Sequence, residues 1–261
     1  MVLRALRPQQ KRNLQARRVI DSLMAMIEAR QYETRRNFLA AHTGGVAAAF
    51  LTAAGLELVS PRRILAQTEL TPDGALRELL AGNKRFTAGL STAHQEDLSI
   101  LKQHTSETQE PFAAVLSCAD SRVPVEMIFD QTIGRIFVTR IAGNVVTPEI
   151  MASLEYGAAV LGVRAILVMG HANCGAVKAA IQGRQAPGQI SALYQHIQPA
   201  VDQAGPGLEP AIKANAKLQS GLLRKASTVI SGLVKEGKLK VAAGYYDIVG
   251  GGVTLLHETS R

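Results

Sequence analysis

Four short stretches of the chain carry an apolar run of strand length. They are residues 112–117 (FAAVLS, after Pro111), 135–140 (RIFVTR), 164–170 (RAILVMG) and 238–246 (KLKVAAGYY). Unbroken apolar runs of strand length predict β-strands buried on both faces. A fifth run, 252–257 after a glycine-rich turn, predicts an edge strand. Between the runs the apolar spacing lengthens to that of a helix. Residues 75–86 place Leu76, Leu79, Leu80 and Phe86 at helical intervals, with Gly82-Asn83 weakening the middle. Residues 148–162, 176–182 and 190–233, the last broken at Gly205-Pro206-Gly207, are the other helical stretches. Strands alternating with helices predict an α/β fold: a mainly parallel β-sheet of about four strands plus an edge strand, flanked by helices. Such sheets bind ligands at the carboxyl ends of their strands. The body contains no internal repeat and no low-complexity tract.

The 261 residues are 47% hydrophobic and 19% charged, enough to bury a core rather than remain disordered. A net charge of +8 raises the question of a nucleic-acid partner, and its location answers it. Residues 1–66 hold eleven Lys and Arg against four Asp and Glu, whereas the remaining 195 residues hold 18 against 17. A near-neutral body lacks the footprint of a phosphate-binding surface, so no nucleic-acid partner is expected.

The basic segment reads as a targeting signal. Thr34-Arg35-Arg36-Asn37-Phe38-Leu39 resembles the twin-arginine export motif, and residues 37–56 follow with no formally charged side chain. Pro61-Arg62-Arg63-Ile64-Leu65-Ala66 closes the segment, with Ile64 where a small residue is usual. The chain therefore divides into an N-terminal extension with a signal peptide, 1–66, and a folded domain, 67–261. The expected location is the periplasm or another extracytoplasmic compartment, with no membrane span after cleavage. An uncleaved membrane anchor and a cytosolic helix are the alternatives.

Only two cysteines are present, which excludes both a disulfide-stapled scaffold and a four-cysteine metal site. Both follow expected strands. Cys118 opens Cys118-Ala119-Asp120-Ser121-Arg122, and Cys174 closes His171-Ala172-Asn173-Cys174. Two thiolates and an imidazole suit zinc, and three protein ligands leave the fourth position open, as in catalytic rather than structural sites. Two buried thiols behaving as small hydrophobes, or a disulfide between them, are the other readings of the same residues.

Cys118-Ala-Asp-Ser-Arg-Val-Pro, then Arg140-Ile-Ala-Gly-Asn144, then Gly170-His-Ala-Asn-Cys-Gly175 resemble in order and spacing the signature of the β-class carbonic anhydrases. The resemblance runs from about Leu76 to about Leu256. It implies the β-carbonic anhydrase fold and one Zn2+ per chain on Cys118, His171 and Cys174. It implies reversible hydration of carbon dioxide to bicarbonate and a proton, by a zinc-bound hydroxide that the Asp120/Arg122 pair orients. Gln109, Phe137, Tyr156 and Gly175 match substrate-binding positions of the plant-type members. Their presence leans towards an open zinc site rather than one closed by Asp120. In the family the pocket forms at a dimer interface, so a homodimer or higher homo-oligomer is expected. No proton shuttle is assigned among His94, His104, His196 and His257. A carbon disulfide or carbonyl sulfide hydrolase on the same fold, or a non-catalytic zinc- or bicarbonate-sensing protein, are the competing functions. A disulfide oxidoreductase is disfavoured because the cysteines lie 56 positions apart.

Overall fold

A computed structural model describes residues 68–93, 109–183 and 186–257. The expected signal segment 1–66, with His94 and His104, lies outside the described residues. In chain order the elements are α1 (Pro72–Thr87), β1 (Ala113–Ser117), α2 (Val125–Ile128), β2 (Ile136–Arg140), α3 (Pro148–Ala159), β3 (Ala165–His171), α4 (Gly175–Gln182), α5 (Tyr194–Ala204), α6 (Leu208–Ala226), α7 (Thr228–Lys235), β4 (Lys240–Tyr246) and β5 (Val253–Leu256). Short 3-10 turns occupy Ala142–Asn144 and Ile190–Leu193. The strands form one sheet in the order β2-β1-β3-β4-β5. All neighbours are parallel except β5, which runs antiparallel to β4 at the edge. This is the α/β architecture that the apolar runs predict.

Alternation along the central strands supplies both faces of the core. Ala113 and Val115 of β1 and Leu167 and Met169 of β3 pack with Leu76, Leu79 and Phe129 on one face. Ala114, Leu116, Ile166 and Val168 point the other way, against Leu154, Leu223 and Ile230. Helix starts are set by local chemistry. The Thr71 hydroxyl accepts the Gly74 N–H ahead of Pro72, and Thr147 accepts the Ile150 N–H ahead of Pro148. No helix among the described residues is long and apolar enough to cross a membrane.

Two departures from the expected elements have clear causes. α1 runs straight through Gly82-Asn83, because both residues dock it. A Cβ on Gly82 would lie 1.7 Å from the Phe129 carbonyl oxygen. The buried Asn83 amide donates to the Ile128 and Gly251 carbonyls, and its oxygen accepts the Val253 N–H. The 190–233 stretch breaks at Gly205 as expected and again at Ser227, whose hydroxyl caps α7 by accepting the Ile230 N–H at 3.0 Å. α2 and the 142–144 turn were not expected.

Candidate metal centre

Strand register brings the three donors together. Ser117, the last residue of β1, lies level with Met169 of β3, so Cys118 emerges beside Gly170 and His171. Cys174 stands at the start of α4, after a turn in which Asn173 adopts φ +56°. Gly170 lets α6 approach the strand end, since a Cβ there would meet Ile212 Cγ2 at 2.9 Å. The three side chains are all buried, His171 completely. Cys118 Sγ, His171 and Cys174 Sγ present ligand atoms within 4.8 Å of one another.

The donor set fits a tetrahedral zinc ion. Zinc–sulfur bonds of about 2.3 Å at a tetrahedral angle place two sulfurs ~3.8 Å apart, and the two Sγ atoms are 4.0 Å apart without a bond between them. His171 Nδ1 lies 2.9 Å from the Ala172 carbonyl, which fixes that nitrogen as the N–H. Nε2 is then a lone-pair donor, and it is buried with no hydrogen-bond partner. A buried orphan acceptor beside two sulfurs is what a metal ligand set leaves when read as protein alone. The sulfurs share one proton between them. Cys118 is brought down to about 4, first by the hydrogen bond from Cys174, with those from the Gly143 and Asp120 backbone N–H groups adding to it against the opposing effect of burial. Cys174 is pushed well above the ordinary thiol range by the same contact and by burial. A dication in place of the shared proton satisfies both sulfurs as thiolates.

Asp120 and Arg122 form a two-armed pair beside this cluster. Arg122 Nε donates to Asp120 Oδ1 at 2.9 Å and Nη2 donates to Oδ2 at 2.8 Å, while the Arg122 backbone N–H also reaches Oδ1. Those hydrogen bonds hold the carboxyl well below the usual carboxylate range against the cost of burial. Asp120 Oδ2 lies 3.9 Å from His171 Nε2. Arg122 also donates to the Asn173 carbonyl, tying the loop after β1 to the loop after β3.

The family model described as carbonic anhydrase matches residues 113–253, which contain all five of these residues. The carbonic anhydrase of Pseudomonas aeruginosa is 30% identical over 207 residues, covering 71% of this chain and 90% of that protein. The chain belongs to the carbonic anhydrase family. Carbonic anhydrase 2 of Mycobacterium tuberculosis is 38% identical over 134 residues, 50% of this chain; the chain spans 64% of that relative's length, less than two thirds. Among solved structures, the Coccomyxa β-carbonic anhydrase in complex with acetazolamide superposes with a TM-score of 0.56 at 26% identity, covering 70% of this chain and 86% of that one.

Within this carbonic anhydrase fold the remaining expected site residues are placed unequally. Gly175 is the first residue of α4, next to Cys174, and a Cβ there would meet nothing within 4 Å. Phe137 of β2 lies against Tyr156 of α3 with ring centroids 6.2 Å apart, and Gly157 leaves room for the Phe137 ring. Tyr156 is 47% exposed, and Gln109 is also exposed. None of the hydrogen bonds around the cluster among the described residues involves Gln109. Four contributing residues were given no role from the sequence. Arg140 donates to the carbonyls of Cys118 and Asp120 and so braces the loop that carries both. The Gly143 N–H donates to Cys118 Sγ at 3.3 Å. Asn215 and Gln219 of α6 are polar yet buried. Their signal was present: two carboxamides four residues apart on the buried face of a helix.

Proposed function

We propose that this protein binds one zinc ion through Cys118, His171 and Cys174 and catalyses the reversible hydration of carbon dioxide to bicarbonate and a proton. The observation that carries the reading is the buried, unpartnered His171 Nε2 facing two cysteine sulfurs, with an Asp/Arg pair beside it. The names of the matched relatives supply the reaction. Zinc, when bound, is a Lewis acid that makes water a nucleophile near neutral pH.

The chain's own residues supply orientation. Asp120 is ionised throughout the neutral range, so it is only an acceptor. An O–H arriving at the cluster donates to it, which turns the oxygen's lone pair away from the carboxylate and towards the entering substrate. Arg122 engages both carboxylate oxygens, which keeps Asp120 off the metal position and supports the open arrangement. Gln109 would donate an amide hydrogen to a bicarbonate oxygen, Gly175 a backbone N–H, and Phe137 and Tyr156 would form apolar walls. In a homodimer, Gln109 and the two rings would serve the neighbouring subunit's centre, in keeping with the exposure of Gln109 and Tyr156 in the single chain.

The test is Asp120→Asn. The variant is expected to keep its zinc and lose hydration at neutral pH by roughly 100-fold or more, because the amide presents an N–H where an acceptor is needed. Full activity in a zinc-loaded Asp120→Asn protein would remove Asp120 from the mechanism.

A further inference from the structure

α6 buries two primary amides where its neighbours are apolar. Ala211, Ile212, Ala216 and Leu223 are buried on this helix, and so are Asn215 at 0% and Gln219 at 1% exposure. Burying a carboxamide is unfavourable unless its hydrogen bonds are made. Here they are made, and each amide reaches the same turn. Gln219 Oε1 accepts the Val146 N–H at 2.8 Å. Gln219 Nε2 donates to the His196 carbonyl at 2.9 Å and to Asn215 Oδ1 at 3.1 Å. Asn215 Nδ2 donates to the Gly143 carbonyl at 2.8 Å. The helix thus grips the chain after β2 at residue 143 and again at residue 146.

What this grip holds is a strained turn against a metal-ligand candidate. Gly143 sits at φ +77°, ψ +11°, and Asn144 at φ +45°. From that conformation the Gly143 N–H points at Cys118 Sγ, 3.3 Å away. An N–H on a thiolate fixes the sulfur's direction and draws off part of its charge, so it tunes how the sulfur binds a metal. With the Gly143 carbonyl and the Val146 N–H both tied to α6, the turn cannot rotate the N–H away.

We propose that Asn215 and Gln219 are positioning residues of the metal centre, clamping the 142–146 turn so that the Gly143 N–H stays on the Cys118 sulfur. The proposal rests on the reading of Cys118 as a zinc ligand. It deepens that reading by extending the centre to a helix that carries no ligand.

The experiment measures metal binding rather than turnover. Zinc affinity is measured by chelator competition on the full chain. The sulfur-to-metal charge-transfer absorption is recorded on the cobalt(II)-loaded protein, and thermal unfolding is followed on the same samples. Asn215→Leu is expected to weaken zinc about 10-fold or more and to shift the sulfur-to-cobalt band. Gln219→Met keeps the chain length and removes the Val146 and His196 contacts, so it gives the same readings and serves if Asn215→Leu does not fold. Leu223→Ala is the control. It removes a buried apolar side chain of the same helix, from the cluster that holds Leu154, Ile230 and Val146, and leaves both amides and their hydrogen bonds to the turn in place, so it lowers the thermal midpoint with zinc affinity and band unchanged. Asn215→Leu and Gln219→Met proteins that bind and absorb like the unsubstituted chain, or that lose no more affinity than Leu223→Ala, overturn the proposal. An unsubstituted chain that binds no zinc, or binds cobalt without a sulfur band, overturns the reading of Cys118 itself, and the proposal with it.

Discussion

Gly143 and Gly175 flank the centre and lack a side chain for different reasons. Gly143 needs the left-handed region, and a Cβ there would press on Ile197 Cδ1 at 2.7 Å. Gly143→Ala should cost about 1–3 kcal/mol of stability, read as a lower thermal midpoint. Gly175 has an ordinary backbone and open space before it, so Gly175→Ala should leave stability within about 0.5 kcal/mol. If that space admits substrate, the same change should reduce hydration without unfolding the chain; unchanged hydration would remove Gly175 from the pocket. The Cys118, His171 and Cys174 cluster and the Asp120/Arg122 pair beside it were legible in the sequence because their types and spacing repeat a long ordered pattern. The roles of the partners that brace them were not. Arg140 and Gly143 lie in the same ordered pattern, but Arg140 acts on two carbonyls and Gly143 through its backbone N–H, contacts that side-chain spacing does not reveal. Asn215 and Gln219 act from 72 and 73 residues further along the chain than the atoms they hold.

Asp130 shows how one element is locked to another. It follows α2 at φ +46° with its side chain enclosed. It accepts hydrogen bonds from Arg85 of α1 and from the Thr92 and Ala93 N–H groups. Burial alone would push the carboxyl up, but the bonds from Ala93, Arg85 and Thr92 outweigh it, and the carboxyl lies below its usual range. Its folded value is thus below its unfolded one. Its contribution to stability is present in full above about pH 4 and is lost as pH falls from there towards the folded value. Asn tolerates the left-handed backbone, so Asp130→Asn removes the charge and one of the two accepting oxygens without straining the turn. At pH 7 the variant should melt roughly 5 °C below the unsubstituted chain, and the gap should narrow as the pH drops below about 4. A gap independent of pH would contradict the assignment. The strand–helix alternation was legible because strands buried on both faces carry unbroken apolar runs. α2 was not, since four residues after Pro124 are one turn and show no period. Gly82-Asn83 suggested a weakness in α1 because tertiary docking, invisible to local propensity, sets their identity.

At the scale of the whole molecule, the sheet of the described residues ends at β2, a parallel edge strand beside α3. α3 ends in apolar exposure at Tyr156 and, at its C-cap, Val160, 46% exposed. The proposed homodimer would cover this region, and Gln109, Phe137 and Tyr156 would then gain a role that the single chain does not give them. A charge at the edge of that surface tests it: Val160→Glu should move the mass measured by sedimentation equilibrium from two chains towards one, with a fall in activity. An unsubstituted chain that sediments as a monomer would contradict the dimer, and the substrate contacts assigned to it would have to be sought within one chain. The central claim is the chemistry at Cys118, His171 and Cys174. It is tested most directly by stopped-flow carbon dioxide hydration on the purified chain, with zinc quantified in the same sample and Cys174→Ser measured alongside. The account predicts one zinc per chain, fast hydration, and loss of both in Cys174→Ser. Bound zinc with no hydration between about pH 7 and 9, or hydration that survives in Cys174→Ser, would contradict it.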